Sequence, residues 1–220
     1  MKKEFMVHGT LGDCFISCLK LRKEKSVKIF HKIEQTYWKP QIKEIYDLVL
    51  PQAEIEFVDK YRDDLVEITS DCHTQNMEFF PNIPVIKAIY PVDIPYIIIQ
   101  AHSGKPDGGN TKRLSYEIIY KFIDHFDPVK VVLIGTNNFY SEVKKCRNLI
   151  GYTDISGIYN IIRNSNGFIG GEGLVSFMAL SQRKDCIIFY REYEAIKKRI
   201  IGTSWEEYIL DFIRMDNVFY

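Results

Sequence analysis

The sequence lacks a surplus of charge of either sign: 29 basic residues stand against 29 acidic ones in a chain of 220. Zero net charge sets up no broad field for nucleic acid or an anionic membrane surface, so neither is expected as a partner. A small anionic ligand needs only a local patch. No run approaches the roughly 20 apolar residues of a membrane span, and the start, Met1-Lys2-Lys3-Glu4, is basic without a long apolar stretch behind it. The five cysteines (Cys14, Cys18, Cys72, Cys146, Cys186) form no CxxC pair, and most sit inside apolar runs as small core residues do. A reducing compartment without structural zinc follows, and the expected location is the cytoplasm. His8, His31, His73, His102 and His125 are scattered, so their spacing marks neither a metal site nor a Ser-His-Asp triad. Also missing are internal repeats, low-complexity tracts, the GxGxxG dinucleotide fingerprint and the GxxxxGK phosphate loop, which argues against a nicotinamide enzyme or a P-loop ATPase.

What the chain does have is alternation. In the first third, residues 5–8 read as a strand, 12–23 as a helix, 27–33 as a strand, 41–50 as a helix and 55–58 as a strand. Phe15, Ile16, Leu19 and then Ile42, Ile45, Tyr46, Val49 recur at helical spacing, while the strands are short and rich in β-branched or aromatic residues. The pattern weakens after Asp71, and Pro81, Pro84, Pro91 and Pro95 place a linker or crossover at 81–95. The second half restarts with a strand at 96–99, a polar loop at 102–110, and a helix over 111–125 with Leu114, Ile118, Ile119, Phe122 and Phe126 on its apolar face. A buried strand at 129–134 follows, then a helix over Ile155, Ile158, Ile161 and Ile162 capped by Asp154. After the segment 168–179 comes a strand at 186–190, the charged stretch 191–199, read as a solvated helix face, and a last helix carrying Trp205, Tyr208, Ile209, Phe212 and Ile213. An α/β fold with parallel sheets and covering helices is expected.

Three segments can carry chemistry. Phe168-Ile169-Gly170-Gly171-Glu172-Gly173-Leu174 reads as a strand, a glycine turn and a helix start: either an anion cradle built from free N–H groups and the positive helix end, or a tight turn without a ligand. Val7-His8-Gly9-Thr10-Leu11-Gly12-Asp13 leaves a strand and enters a helix, where ligands sit in open α/β sheets. Asp13 is either a helix cap or a general base, ionised at neutral pH and able to take a proton from a hydroxyl. Gln100 to Lys112 holds hydroxyls, glycines and two lysines. It is either a phosphate loop, with Lys112 or Lys105 as the point charge and Ser103, Thr111 and backbone N–H groups as donors, or a polar surface loop.

Taken together, these segments resemble the heptosyltransferase-type glycosyltransferases, the ADP-heptose:lipopolysaccharide family and its relatives. Gly9-Thr10-Leu11-Gly12-Asp13 is similar to the family's G-x-L-G-D element. The stretch from Ile97 through His102-Ser103-Gly104 and Lys112-Arg113-Leu114 to Val131-Val132-Leu133-Ile134-Gly135 resembles the opening of its nucleotide-sugar domain, and Asp154 to Leu180 its last glycine motif with flanking helices. The resemblance implies a GT-B-like fold: two Rossmann-like parallel-sheet domains facing a cleft, a reduced amino-terminal acceptor-side domain at 1–90 and a nucleotide-sugar domain at 91–220. It implies transfer of a sugar from a nucleoside-diphosphate donor to a glycan, glycolipid or other hydroxyl acceptor, with no metal and no further cofactor. Asp13 would be the catalytic base. Ser103, Gly104, Thr111, Lys112, Gly171, Glu172, Gly173 and Leu174 would hold the donor phosphates, and Gly135, Thr136 and Glu142 would contact the nucleoside. The chain also departs from the family. Where many relatives have D-[ST]-G-x-x-H it has Gly171-Glu172-Gly173-Leu174-Val175-Ser176, so Ser176 stands in place of a phosphate-touching histidine, and Leu114 and Ser115 replace the Trp-Pro of K-R-W-P. It is shorter than typical members. A non-catalytic nucleotide- or sugar-phosphate-binding module is the alternative.

Overall fold

The structure, a computed structural model, describes residues 2–34, 36–69, 94–103, 112–135 and 140–215. The first half builds strand β1 (Lys3–Val7), helix α1 (Leu11–Leu21), β2 (Val27–Lys32), α2 (Lys39–Val49), β3 (Glu54–Val58) and the short β4 (Val66–Glu67). All four strands are parallel, in the order β3-β2-β1-β4. The second half contributes β5 (Ile97–Gln100), β6 (His102–Ser103), β7 (Lys112–Arg113), α3 (Tyr116–Phe126), β8 (Val131–Ile134), β9 (Arg147–Asn148), α4 (Ile155–Arg163), β10 (Gly167–Gly171), α5 (Leu174–Ser181), β11 (Asp185–Tyr190), α6 (Tyr193–Arg199) and β12 (Ile209–Arg214). Its main sheet, β12-β11-β10-β5-β8-β9, is parallel throughout. The α/β class and the two parallel sheets expected from the alternation are present.

The inner strands β8 and β10 are buried at every position and so on both faces, whereas β3 and β12 at the sheet edges are half-exposed. One apolar cluster runs from Val7, Ile29 and Tyr46 of the first half to Ile98, Phe168, Phe177 and Leu180 of the second. Helices α1 and α2 reach across to α5 and α4 respectively, so the four helices lie between the two sheets. The far face of the larger sheet is covered by α3, whose Ile119 and Ile123 pack with Ile99, Leu133 and Phe189. In each sheet the connections run outward in both directions from the middle: β1 lies between β2 and β4, and β5 between β8 and β10. Ligand crevices form at such switch points, outside the carboxyl ends of the strands. The two glycine turns of the sequence sit at these ends.

The elements differ from the sequence expectation in four places. The helix expected to carry Trp205 to Ile213 is instead a single 3-10 turn, Glu206–Tyr208, followed by strand β12. Trp205 is fully buried against Phe177, while Ile209, Phe212 and Ile213 follow the edge of β11. The helix expected from 111 starts at Tyr116, because Lys112–Arg113 pairs antiparallel with His102–Ser103 and the Ser115 hydroxyl caps the Ile118 N–H at 3.3 Å. The strand expected from 129 begins at Val131, after a 3-10 turn at Pro128–Lys130 that leaves Val129 exposed. The stretch 191–199 is helical over Tyr193–Arg199 but not wholly solvated: Ile196 is buried, and Arg199 turns inward to make two ion pairs. Most of the 81–95 linker lies outside the described residues.

Candidate active site

The loop after β1 is shaped by Gly9, whose φ of +99° lies in the left-handed region. A Cβ there would stand 2.7 Å from Asp13 Oδ2, so glycine is required both by the backbone and by the carboxylate folded over it. Thr10 is the extended residue that opens α1. Asp13, at the third helical position, bends back, and its Oδ2 accepts from the Thr10 N–H at 2.9 Å and from the Thr10 hydroxyl at 3.0 Å. This is the carboxylate half of a capping box, and a negative charge in the first turn also suits the helix dipole. Asp13 therefore does act as a cap. Asp13 is buried, at 7 % exposure.

The second turn sits where β10 meets α5. The Glu172 N–H donates to the Phe189 carbonyl at 2.9 Å, and Gly173 adopts a φ of +150°. The Ser176 hydroxyl accepts from the Gly173 N–H at 3.0 Å and donates to the Gly173 carbonyl at 2.8 Å. Ser176 is fully buried, so at the position of the family's histidine this chain has a helix cap.

The two turns meet. A Cβ on Gly12 would lie 3.5 Å from the Leu174 backbone nitrogen and 2.9 Å from Phe177 Cε2. The amino-terminal turns of α1 and α5, separated by some 160 positions of sequence, are thus in van der Waals contact, and two positive helix ends converge. Each brings a carboxylate, Asp13 and Glu172, and Glu172 is only 4 % exposed. Arg199, at the end of α6, joins them: Nη1 donates to Glu172 Oε1 at 2.7 Å and Nη2 to Asp13 Oδ1 at 3.0 Å. Burial of Arg199 works against its charge, but the two facing carboxylates outweigh it and hold its pKa above the ordinary arginine value.

The structure therefore gathers Asp13, Gly171, Glu172, Gly173 and Leu174 into one place. Arg199 was not foreseen from the sequence. Its signal was indirect: Glu172 in a glycine turn headed for burial needs a cation, and the basic run Lys197-Lys198-Arg199 is the end of a helix able to supply one. Ser103 and Lys112 are register partners in the β6–β7 ladder. Gly135 follows β8, and its carbonyl accepts from the Gly151 N–H at 3.0 Å. Glu142 accepts a hydrogen bond from the Tyr116 hydroxyl at the start of α3. Gly104, Thr111 and Thr136 lie outside the described residues. His102, next to Ser103 in β6, is 1 % exposed, with its pKa lowered to about 4 by burial and then by the Arg113 charge. Among the described residues no group of three or more His, Cys, Asp or Glu side chains is arranged to hold a metal ion.

No protein-family model and no curated protein sequence matches the chain. Solved structures do. A glycosyl transferase family 9 protein from Veillonella parvula superposes with a TM-score of 0.62 at 11 % identity, over 95 % of this chain and 86 % of the other. The fold is that of the heptosyltransferase-type glycosyltransferases. The E. coli heptosyltransferase WaaC, solved with ADP, is similar at a TM-score of 0.54 and 9 % identity, over 99 % of this chain and 94 % of that one. The iron-containing dodecameric glycosyltransferase TibC from enterotoxigenic E. coli gives 0.53 at 13 % identity, and the chain, covered over 93 %, spans 61 % of the length of TibC. At these identities the heptosyltransferase-like likeness is one of architecture.

Proposed function

We propose that this chain is a metal-independent glycosyltransferase that moves a sugar from a nucleoside-diphosphate donor to a hydroxyl of a glycan, glycolipid or other acceptor. The observation that carries the proposal is the contact between the first turn of α1, with Asp13, and the glycine turn before α5. Residues 91–220 hold the donor and residues 1–90 face the acceptor. The fold shared with heptosyltransferase structures, one of them solved with ADP, supports the same assignment. So does the position of both turns at the switch points of their sheets.

In the reaction the acceptor hydroxyl gives its proton to the Asp13 carboxylate as its oxygen bonds to the anomeric carbon. The bond from that carbon to the diphosphate oxygen breaks, and the nucleoside diphosphate leaves with the electron pair. Charge grows on the diphosphate as it departs. The turn Gly171 to Leu174 at the head of α5 acts through the positive helix end it opens, since the Glu172 and Gly173 N–H groups are held by the Phe189 carbonyl and the Ser176 hydroxyl. Together with Lys112, Ser103, Gly104 and Thr111 it stabilises that charge, with Gly135, Thr136 and Glu142 on the nucleoside. The nucleotide sugar is the substrate and no further cofactor is required. Four cysteines without disulfides, Cys14, Cys18, Cys146 and Cys186, support a cytoplasmic setting.

A thermal-shift screen with ADP, UDP, GDP and CMP tests the site. A ligand at 100 times its dissociation constant stabilises by about 2.7 kcal/mol. Asp13→Asn is expected to keep the donor-induced shift and to lose transfer by about 10²- to 10⁴-fold, the usual scale of a general base. Transfer by this variant at the rate of the unaltered chain would sink the base assignment, and donor binding without transfer to any acceptor would favour a binding module.

A further inference from the structure

We propose that Arg199 is a positioning residue: held by Glu172, it sets the place of the Asp13 carboxylate relative to the donor turn. The inference rests on the reading of Asp13 as the base. Asp13 and Arg199 are 186 positions apart and belong to different halves of the chain. Glu172 belongs to the glycine turn itself, with its N–H fixed on the Phe189 carbonyl and its side chain buried. The chain of contacts therefore runs from the turn, through Glu172 Oε1 and the two terminal nitrogens of one guanidinium, to Asp13 Oδ1. On the other side Thr10 holds Oδ2 with two hydrogen bonds.

A planar guanidinium is suited to this span because its two terminal nitrogens point in fixed directions, and each meets one carboxylate. An ammonium group is a single point charge. It can neutralise the pair but cannot hold both oxygens at arginine's separation. Without any cation the two carboxylates would repel each other across a site with little water, and Asp13 would swing away. The effect on catalysis is geometric, since a displacement of about 1 Å between reacting groups can cost 10²-fold in rate. Glu172, one of the chain's departures from the D-[ST]-G-x-x-H pattern, thereby gains a role: it anchors the arginine that aims the base.

The test compares Arg199→Lys, Arg199→Met, Asp13→Asn and the double variant Asp13→Asn/Arg199→Lys in the full chain, reading donor KM, kcat and melting temperature. Arg199→Lys keeps the charge and guards against a variant that merely fails to fold. It is expected to melt within a few degrees of the unaltered chain and to hold donor KM within about threefold. Its kcat should fall about 10- to 100-fold, and Arg199→Met should fall further. The double variant is expected to transfer no more slowly than Asp13→Asn alone, because the arginine acts only through that carboxylate. Asp13→Asn inactive with Arg199→Lys at full kcat overturns the positioning role while leaving the base in place. Asp13→Asn at full kcat overturns both. A loss of melting temperature in Arg199→Lys with kcat unchanged reduces Arg199 to a structural tie and likewise overturns the proposal.

Discussion

Gly12 is the residue on which the meeting of the two turns depends. Its missing side chain lets α1 approach to where a Cβ would stand 2.9 Å from Phe177 Cε2 and 3.5 Å from the Leu174 nitrogen. The Phe177 ring is 1 % exposed and backed by Trp205 at 5.8 Å, so it has little room to retreat. Two effects compete in Gly12→Ala. Alanine gains up to about 1 kcal/mol over glycine in a helix interior, and less than that in a first turn, while overpacking a well-packed contact costs about 1–3 kcal/mol. The overpacking wins, and urea denaturation should show Gly12→Ala less stable than the unaltered chain by about 1–2 kcal/mol. Gly9→Ala should do worse at the same measurement, since it adds a left-handed backbone penalty to a collision with Asp13 itself. The importance of these glycines was legible in the sequence as a strand-to-helix turn with an acid at its end. The closeness of Leu174 was not, because nothing local in Gly9 to Asp13 encodes which second turn will be brought against it.

At the scale of elements, local chemistry carries a capped helix start such as that of α4 well and the edge strands poorly. Asp154 is an example of the first: its Oδ1 accepts from the Gly157 N–H at 2.6 Å, as a cap at the start of α4 should. Asp154→Ala is expected to lower stability by about 1 kcal/mol in chemical denaturation, with the slope of the transition unchanged. Asp154→Asn should recover most of that loss. Strand β12 is an example of the second. Trp205, Tyr208, Ile209, Phe212 and Ile213 recur at three- and four-residue intervals and so read as a helical stripe. The structure divides them: Trp205 packs in the core against Phe177, Tyr208 ends the 3-10 turn, and Ile209, Phe212 and Ile213 run parallel to β11 at the sheet edge with Leu210 68 % exposed. A six-residue edge strand with half-covered faces has no clean alternation to betray it. The β6–β7 ladder escaped for a similar reason, since two residues a side are too few to show a period.

At the scale of the molecule, a buried titratable side chain ties the stability of the whole fold to pH, and His102 is such a group. His102 lies at the carboxyl end of the central strand region of the larger sheet and is 1 % exposed. Burial, and secondarily the charge of Arg113, lower its pKa from 6.5 to about 4. The sign of the linkage is settled by which state binds the proton. Between pH 6.5 and 4 the unfolded chain carries a proton on this histidine and the folded chain does not, so stability rises with pH across that window. The stabilisation attached to neutral burial is complete above the unfolded value and is lost as pH falls towards 4. A shift of this size corresponds to at most about 3 kcal/mol, at 1.36 kcal/mol per pKa unit. Against a typical domain stability of about 5–15 kcal/mol this is a sizeable share. His102→Gln removes the titrating group while keeping an amide of similar reach. The expected result is a flatter dependence of unfolding free energy on pH between 6.5 and 4, measured by urea titrations at several pH values, whatever the change in absolute stability at neutral pH. An unchanged slope in that variant would mean that the acid sensitivity of the fold resides in other groups.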